Sequence, residues 1–265
     1  MFMSFVQICL YYYPSYLIAF VMVLSAVLFS IVGLLLVRRI MPVHKTKLHN
    51  DIAGPIFATL GVIYAVIVAF MVVISWQNFD ETTGRLEREA NIYADLYRDS
   101  TGISKDFNAQ VGRTLTDYVR SVVDDEWPLM AKGAESAKTH EFLHKVWDVY
   151  INFQPKGDRE KIFFEESVRK LNEANELRRQ RIVDSGTGIN EILWFVLIAC
   201  GIITIAFTFF FGTENLIAQI IMTSLLAALI ALVLFTIMAF DYPFTGDISV
   251  SPKVFESILR SLNAF

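Results

Sequence analysis

Three consecutive carboxylates, Asp124-Asp125-Glu126, stand directly before Trp127-Pro128 and form the densest run of hard oxygen ligands in the chain. Clustered carboxylates are what a divalent cation such as calcium requires. Neighbouring residues on a helix point in different directions, however, and the ligand spacing of a calcium-binding loop is absent. The run reads as a solvated acidic surface, and no metal is assigned to it. Asp241, ahead of Tyr242-Pro243, closes a long apolar segment. A carboxylate at a helix C-terminus opposes the helix dipole, which predicts a cationic partner: Arg38, Arg39, His49 or an arginine from the middle of the chain. His49-Asn50, ahead of another apolar segment, reads as an interfacial cap. With Tyr64 and Asp241, His49 and Asn50 make up the candidate gate or interfacial residues.

Glu87, Glu89 and Arg98 are expected to pair across a helical bundle, and Arg178, Arg179 and Arg181 to approach lipid phosphates. Nowhere does a nucleophile sit with a base, a glycine loop cradle a phosphate, or a ligand spacing suit a metal. No catalytic residue, cofactor or metal site is therefore assigned, and an enzyme is not expected. The two cysteines, Cys9 and Cys200, lie far apart and outside any Cys-x-x-Cys or Cys/His spacing, so a disulfide scaffold or zinc site is unsupported.

The elements that carry these residues are set by four charge-free apolar stretches: Tyr16–Val37, Ile52–Trp76, Ile192–Phe211 and Leu216–Phe240. About 20 apolar residues in helix span the hydrocarbon core, and within it only helices satisfy a chain of this pattern. Between the second and third stretches the composition changes. Residues 77–191 hold 17 of the 23 Lys and Arg and 22 of the 27 Asp and Glu. That insert is mixed in sign and slightly acidic, so nucleic acid is not a partner by charge. The chain thus divides into residues 1–51 (N-terminal segment, first span and basic turn), 52–76 (second span), 77–191 (extramembrane insert), 192–240 (third and fourth spans) and 241–265 (C-terminal segment). A secretory leader is not expected at its start, because residues 1–15 carry no basic region and the first apolar run is too long.

Phe79, Thr83, Leu86, Ala90, Tyr93 and Tyr97 continue helical periodicity past Trp76, which predicts one helix from Ile52 to about Asp99. Ser104 caps a second insert helix with Phe107, Val111, Leu115, Tyr118 and Val122 on one face. A third runs over 137–153, and a fourth from Asp158 to Asp184. The fold class is all-α: a polytopic membrane protein with four transmembrane helices and a helical-bundle insert between the second and third. Along the second span Gly54, Ala58, Gly61, Ala65 and Ala69 recur at steps of four and three. Small residues in such a stripe let helices approach closely, so the stripe is a packing or oligomer seam, or a pore-lining face. The first span repeats the device more weakly with Ala26, Ser30 and Gly33. No ionisable acid or histidine lies within the spans, which argues against proton-coupled transport and leaves a channel open.

Several runs together resemble the bacterial bestrophin-like family: His49-Asn50-Asp51-Ile-Ala-Gly54, Glu87-Arg-Glu89-Ala90, Glu126-Trp127-Pro128, Arg178-Arg179-Gln-Arg181, Phe211-Gly212-Thr-Glu214-Asn215 and Asp241-Tyr-Pro243-Phe244-Thr-Gly246. The resemblance spans about residues 38–260. It implies a relation to bestrophins, which are pentameric anion channels with four membrane helices and a helical body. The phenylalanine-rich neck and acidic calcium clasp of animal bestrophins have no counterpart, since Phe57 and Phe70 are too widely spaced. The functional expectation is an oligomeric anion channel lined by the second span; the alternative is a non-conducting scaffold or stress sensor whose insert binds a partner. The expected partners are the lipid bilayer, further copies of the chain and small anions, in a bacterial inner membrane. The short turn with Arg38, Arg39, Lys45 and Lys47 is placed in the cytoplasm by charge density, which puts the insert in the periplasm, although the raw Lys and Arg count on the insert side points the other way.

Overall fold

The computed structural model describes residues 5–41 and 50–263. His49, Lys45 and Lys47 lie outside them. Among the described residues every regular element is helical: α1 (Phe5–Tyr12), α2 (Ser15–Ile40), α3 (Asn50–Ser100), α4 (Lys105–Ser121), a π-helical turn (Val122–Glu126), α5 (Trp127–Met130), α6 (Ala137–Ile151), α7 (Asp158–Gly186), α8 (Glu191–Thr208), α9 (Leu216–Asp241) and α10 (Lys253–Asn263). The four expected spans are α2, the first half of α3, α8 and α9, all long and apolar enough to cross a bilayer. The chain is a membrane protein.

The helices fall into two compact units, Tyr12–Asn78 with Gly188–Asp241, and Met1–Tyr11 with Phe79–Thr187 and Tyr242–Phe265. In the apolar unit the core is Leu34, Tyr64, Val68, Met71, Leu197, Ile205, Phe209, Ala227, Ile230 and Ile237. Leu28, Ile63, Phe70, Phe195 and Leu225 stay exposed, as they do where the surrounding solvent is lipid rather than water. Several span hydroxyls turn back on their own helices: Ser30 donates to the Val27 carbonyl, Ser75 to Met71, Thr204 to Cys200 and Thr223 to Gln219. In hydrocarbon this removes the cost of a bare hydroxyl. The small residues of the first span do close packing here. Ser30 is fully buried, and a Cβ added at Gly33 would come within 2.5 Å of the Phe209 ring.

The polar unit is a bundle around Leu86, Ala90, Tyr93, Leu96, Phe107, Val111, Leu115, Tyr118, Val146, Tyr150 and Leu171, which includes most of the faces read from periodicity. Ser104 accepts from the Phe107 amide and Ser136 from the Thr139 amide, fixing the starts of α4 and α6. α3 is unbroken between Trp76 and Leu86, as its periodicity required. Two elements went unread in the sequence, α1 and α10. Gln7 of α1 donates to the Ser185 carbonyl and to the Thr245 hydroxyl. α10 buries Phe255 and Leu262 in the bundle core.

Candidate functional site

On α3 the buried face of the apolar unit is Tyr64, Val68, Met71 and Ser75. At 100° per residue the small stripe lies roughly a quarter-turn away from it. Ala58, Ala65 and Ala69 are exposed, Gly54 and Gly61 half-buried, and a Cβ added at either glycine would meet nothing within 4 Å. Among the described residues nothing packs against either glycine of the stripe, in contrast to Gly33. The stripe presents an open, uncharged face beside the bulkier outward face of Val62, Val66, Phe70 and Val73. Tyr64 does not share that face. It is buried against α8, with its hydroxyl so near Gly201 that a Cβ there would approach to 2.9 Å. Phe57 stacks on Phe207 at 5.8 Å and meets Phe211 edge-on at 5.6 Å, while Phe70 points outward, so the two do not form a common ring of side chains.

Polar contacts fasten both ends of this unit. At one end Asn50 forms a two-way clasp with Gly212: its Nδ2 donates to the carbonyl at 2.8 Å and its Oδ1 accepts from the amide at 3.0 Å. Beside it Gln219, the one amide within the spans, is fully employed. Its Oε1 accepts from Arg38 Nε and Nη2 at 2.9 and 2.6 Å, and its Nε2 donates to the Phe211 carbonyl at 2.7 Å. At the other end the expectation of a cation for Asp241 fails. Its oxygens accept from the Ile189 amide at 2.6 Å and the Trp194 indole Nε1 at 3.1 Å, and among the described residues it has no ion pair. Two N–H donors supply what an arginine would have supplied. Replacing Asn50 with alanine leaves both Gly212 groups unpaired and is expected to cost about 1–3 kcal/mol, read as a lower melting midpoint of the detergent-solubilised protein.

The polar unit holds a site that the sequence did not reveal. Arg181 forks onto Glu89, Nε to Oε2 at 2.8 Å and Nη2 to Oε1 at 3.0 Å, and its Nη2 also lies 3.1 Å from Glu126 Oε2. Arg178 Nη2 closes the group on Glu126 Oε1 at 2.5 Å. All four side chains are 3% exposed or less. The Arg181 guanidinium faces the Phe255 ring at 5.4 Å and the Trp127 ring at 5.9 Å, and Tyr93 donates to Tyr118 at 3.0 Å alongside. Burial alone would lower the Arg181 pKa, but Glu89 and Glu126 outweigh it and hold the guanidinium above its ordinary range. Burial pushes the Tyr93 and Tyr118 hydroxyls up, so both stay protonated.

This arrangement corrects the expectations for Glu126, for Arg178 and Arg181 and for Arg98, and meets the one that Glu89 pairs across the bundle. Glu126 is not part of a solvated acidic surface, because the π turn places it inward. The Trp127 amide bonds five residues back to Val122, and this wider turn keeps Tyr118, Val122, Glu126 and Met130 on one face. Asp125 instead accepts from Lys138 and Ser121, which lower its pKa in that order. Arg178 and Arg181 are interior, not turned to lipid, and Arg179 pairs with Glu176 on the surface. Glu89 pairs with Arg181, while Arg98 meets Asp95 and Asp99 of its own helix. Among the described residues no group of three or more His, Cys, Asp or Glu is placed to hold a metal ion.

A family model described as Bestrophin-like domain matches residues 24–255. Among curated proteins nothing matches. Of the solved structures, a point variant of a bacterial Bestrophin homolog from Klebsiella pneumoniae superposes with a TM-score of 0.69 at 14% identity, covering 93% of this chain and 98% of that one. A second variant of the same homolog gives 0.70 at 12% identity, over 91% and 98%. A structure described as a membrane protein variant gives 0.69 at 14%, over 93% and 97%. At such identities the likeness is one of fold.

Proposed function

The chain belongs to the Bestrophin-like family, and from that premise we propose that it is a channel for small anions, assembled from several copies with α3 of each lining the path. The observation that carries this reading is the stripe Gly54, Ala58, Gly61, Ala65 and Ala69, exposed at its alanines and open at both glycines. A ring of identical copies brings such a stripe to the shared axis, where small side chains leave room for an ion and no fixed charge traps it. Span hydroxyls that bond their own helices favour a lining of small apolar groups over a hydroxyl-lined one. The family resemblance supplies the anion, since bestrophins conduct anions. The charge density of the Arg38-Arg39 turn supports an inner-membrane placement with that turn in the cytoplasm.

Chloride efflux from liposomes carrying the purified protein tests the proposal. Efflux above protein-free vesicles is expected; none under varied voltage, pH and calcium would favour a scaffold whose polar unit binds a partner. Assembly is tested separately. Leucine at Gly61 meets nothing inside the protomer, so Gly61→Leu is expected to lower the mass of the detergent-solubilised particle, whereas Ile63→Leu on another face leaves it unchanged. An unaltered mass for Gly61→Leu would remove the stripe from the subunit interface.

A further inference from the structure

Two histidines that take no part in the membrane unit stand one helical turn apart on α6. His140 and His144 are both exposed, and their Nε2 atoms converge to 3.0 Å with the ring planes at 90°. The backbone beneath them is well held. Ser136 caps the helix, and Thr139, Leu143, Val146 and Tyr150 are buried on its inner face. The spacing of four residues and the shared outer face follow from that anchoring, so the pair is presented by a fixed helix and not by a loop.

From this geometry we propose a binding site for a divalent transition-metal ion, with the two Nε2 atoms as its protein ligands. Two imidazoles meeting nitrogen to nitrogen share one proton: one Nε2 donates and the other accepts. A metal ion replaces that proton when the donor ring shifts its hydrogen to Nδ1, which leaves both Nε2 lone pairs free and requires no net loss of protons from the neutral pair. Imidazole–metal bonds are ~2.0–2.1 Å long, so nitrogens 3.0 Å apart subtend an angle of about 90° at the ion. That is the cis angle of a square-planar or octahedral site, whereas a tetrahedral ion needs the nitrogens a few tenths of an ångström further apart. Geometry and the general affinity order both select Cu²⁺, then Ni²⁺, over Zn²⁺, and the absence of carboxylate ligands disfavours Mg²⁺ and Ca²⁺. Among the described residues no third His, Cys, Asp or Glu completes the set. Water fills the remaining positions, which makes the ion exchangeable and not a structural component of the fold.

The test is a Cu²⁺ titration of tag-free, chelator-stripped full-length protein in detergent, followed by calorimetry and by electron paramagnetic resonance. One ion per chain with two-nitrogen hyperfine coupling is expected. His140→Ala and His144→Ala should each weaken binding by about tenfold or more, since even outer-shell changes at metal sites cost ~10–100-fold. The double variant His44→Ala/His49→Ala, which removes the other two histidines of the chain, should bind as the wild type does. No binding by the wild type, or binding indifferent to both His140→Ala and His144→Ala, overturns the proposal. Unchanged melting midpoints of the apo variants would show that the loss belongs to the ligands and not to the helix.

Discussion

Arg181→Ala is expected to destabilise the protein by about 3–5 kcal/mol, because it strands two carboxylates in the interior of the polar unit. Glu89 loses both of its fork contacts and Glu126 loses one of its two cations. No water reaches either side chain in compensation, since Glu89 and Glu126 are 1% exposed or less. At ~2–4 °C per kcal/mol for a chain of this size, the melting midpoint should fall by roughly 10 °C. Arg181→Lys is the informative companion. It keeps the charge but has no planar fork, so it cannot hold Glu89 through two bonds and reach Glu126 as well. An intermediate loss is expected from it. The cycle Glu89→Gln, Arg181→Met and the pair should show a double variant less damaged than the sum of the single ones, because with Glu89 neutralised the loss of Arg181 strands no carboxylate at position 89. Strict additivity in that cycle, or an Arg181→Ala protein as stable as wild type, would contradict the network.

Ala65→Trp is expected to abolish chloride efflux without harming the fold. Ala65 is exposed in the protomer, so an indole there displaces no neighbour of its own chain. In a ring the substitution is repeated in every copy, and the indoles converge on the axis as an apolar constriction that excludes water along with ions. Ile63→Trp, nearly half a turn round the helix on the bulky outward face, should leave efflux close to that of the wild type. If both variants conduct, α3 does not line the path. If Ile63→Trp alone blocks, the lining face lies on the opposite side of the helix from the stripe.

The difference between what the sequence showed and what it hid follows physical lines. Spans and bundle faces were legible because burial imposes a period, as with Leu86, Ala90 and Tyr93 or with Phe107, Val111 and Leu115. α10 carried the same signal in Val254, Phe255, Ile258, Leu259 and Leu262, but its few turns end a chain already divided by stronger cues. Charges have no comparable period. An arginine that pairs inside a bundle and one that faces water look alike in sequence, so Arg178 and Arg181 could not be told from Arg179. Asp241 misled for a related reason: the helix dipole predicts that something must answer the carboxylate, but not that an indole and a backbone amide will. The small stripe was visible as a pattern, but which way it faced depended on the rotation of α3, which Tyr64 and Val68 set through their packing.

The network around Arg181 also has a history within each molecule's synthesis. Glu89 precedes its partner by 92 residues and Glu126 precedes Arg178 by 52. At ~5–20 residues per second, Glu89 waits several seconds or more after leaving the ribosome before a counter-charge exists for it. Through that interval α3 and the π turn that follows α4 hold two carboxylates whose only partner is water, so their inner faces cannot close dry. Nascent chains arrested before Arg178 has emerged should therefore be open to protease in the stretch 80–130, and chains arrested after Arg181 is out should resist it. A half-made polar unit is thus marked as unfinished by its own unpaired acids, well before the last two membrane helices are translated.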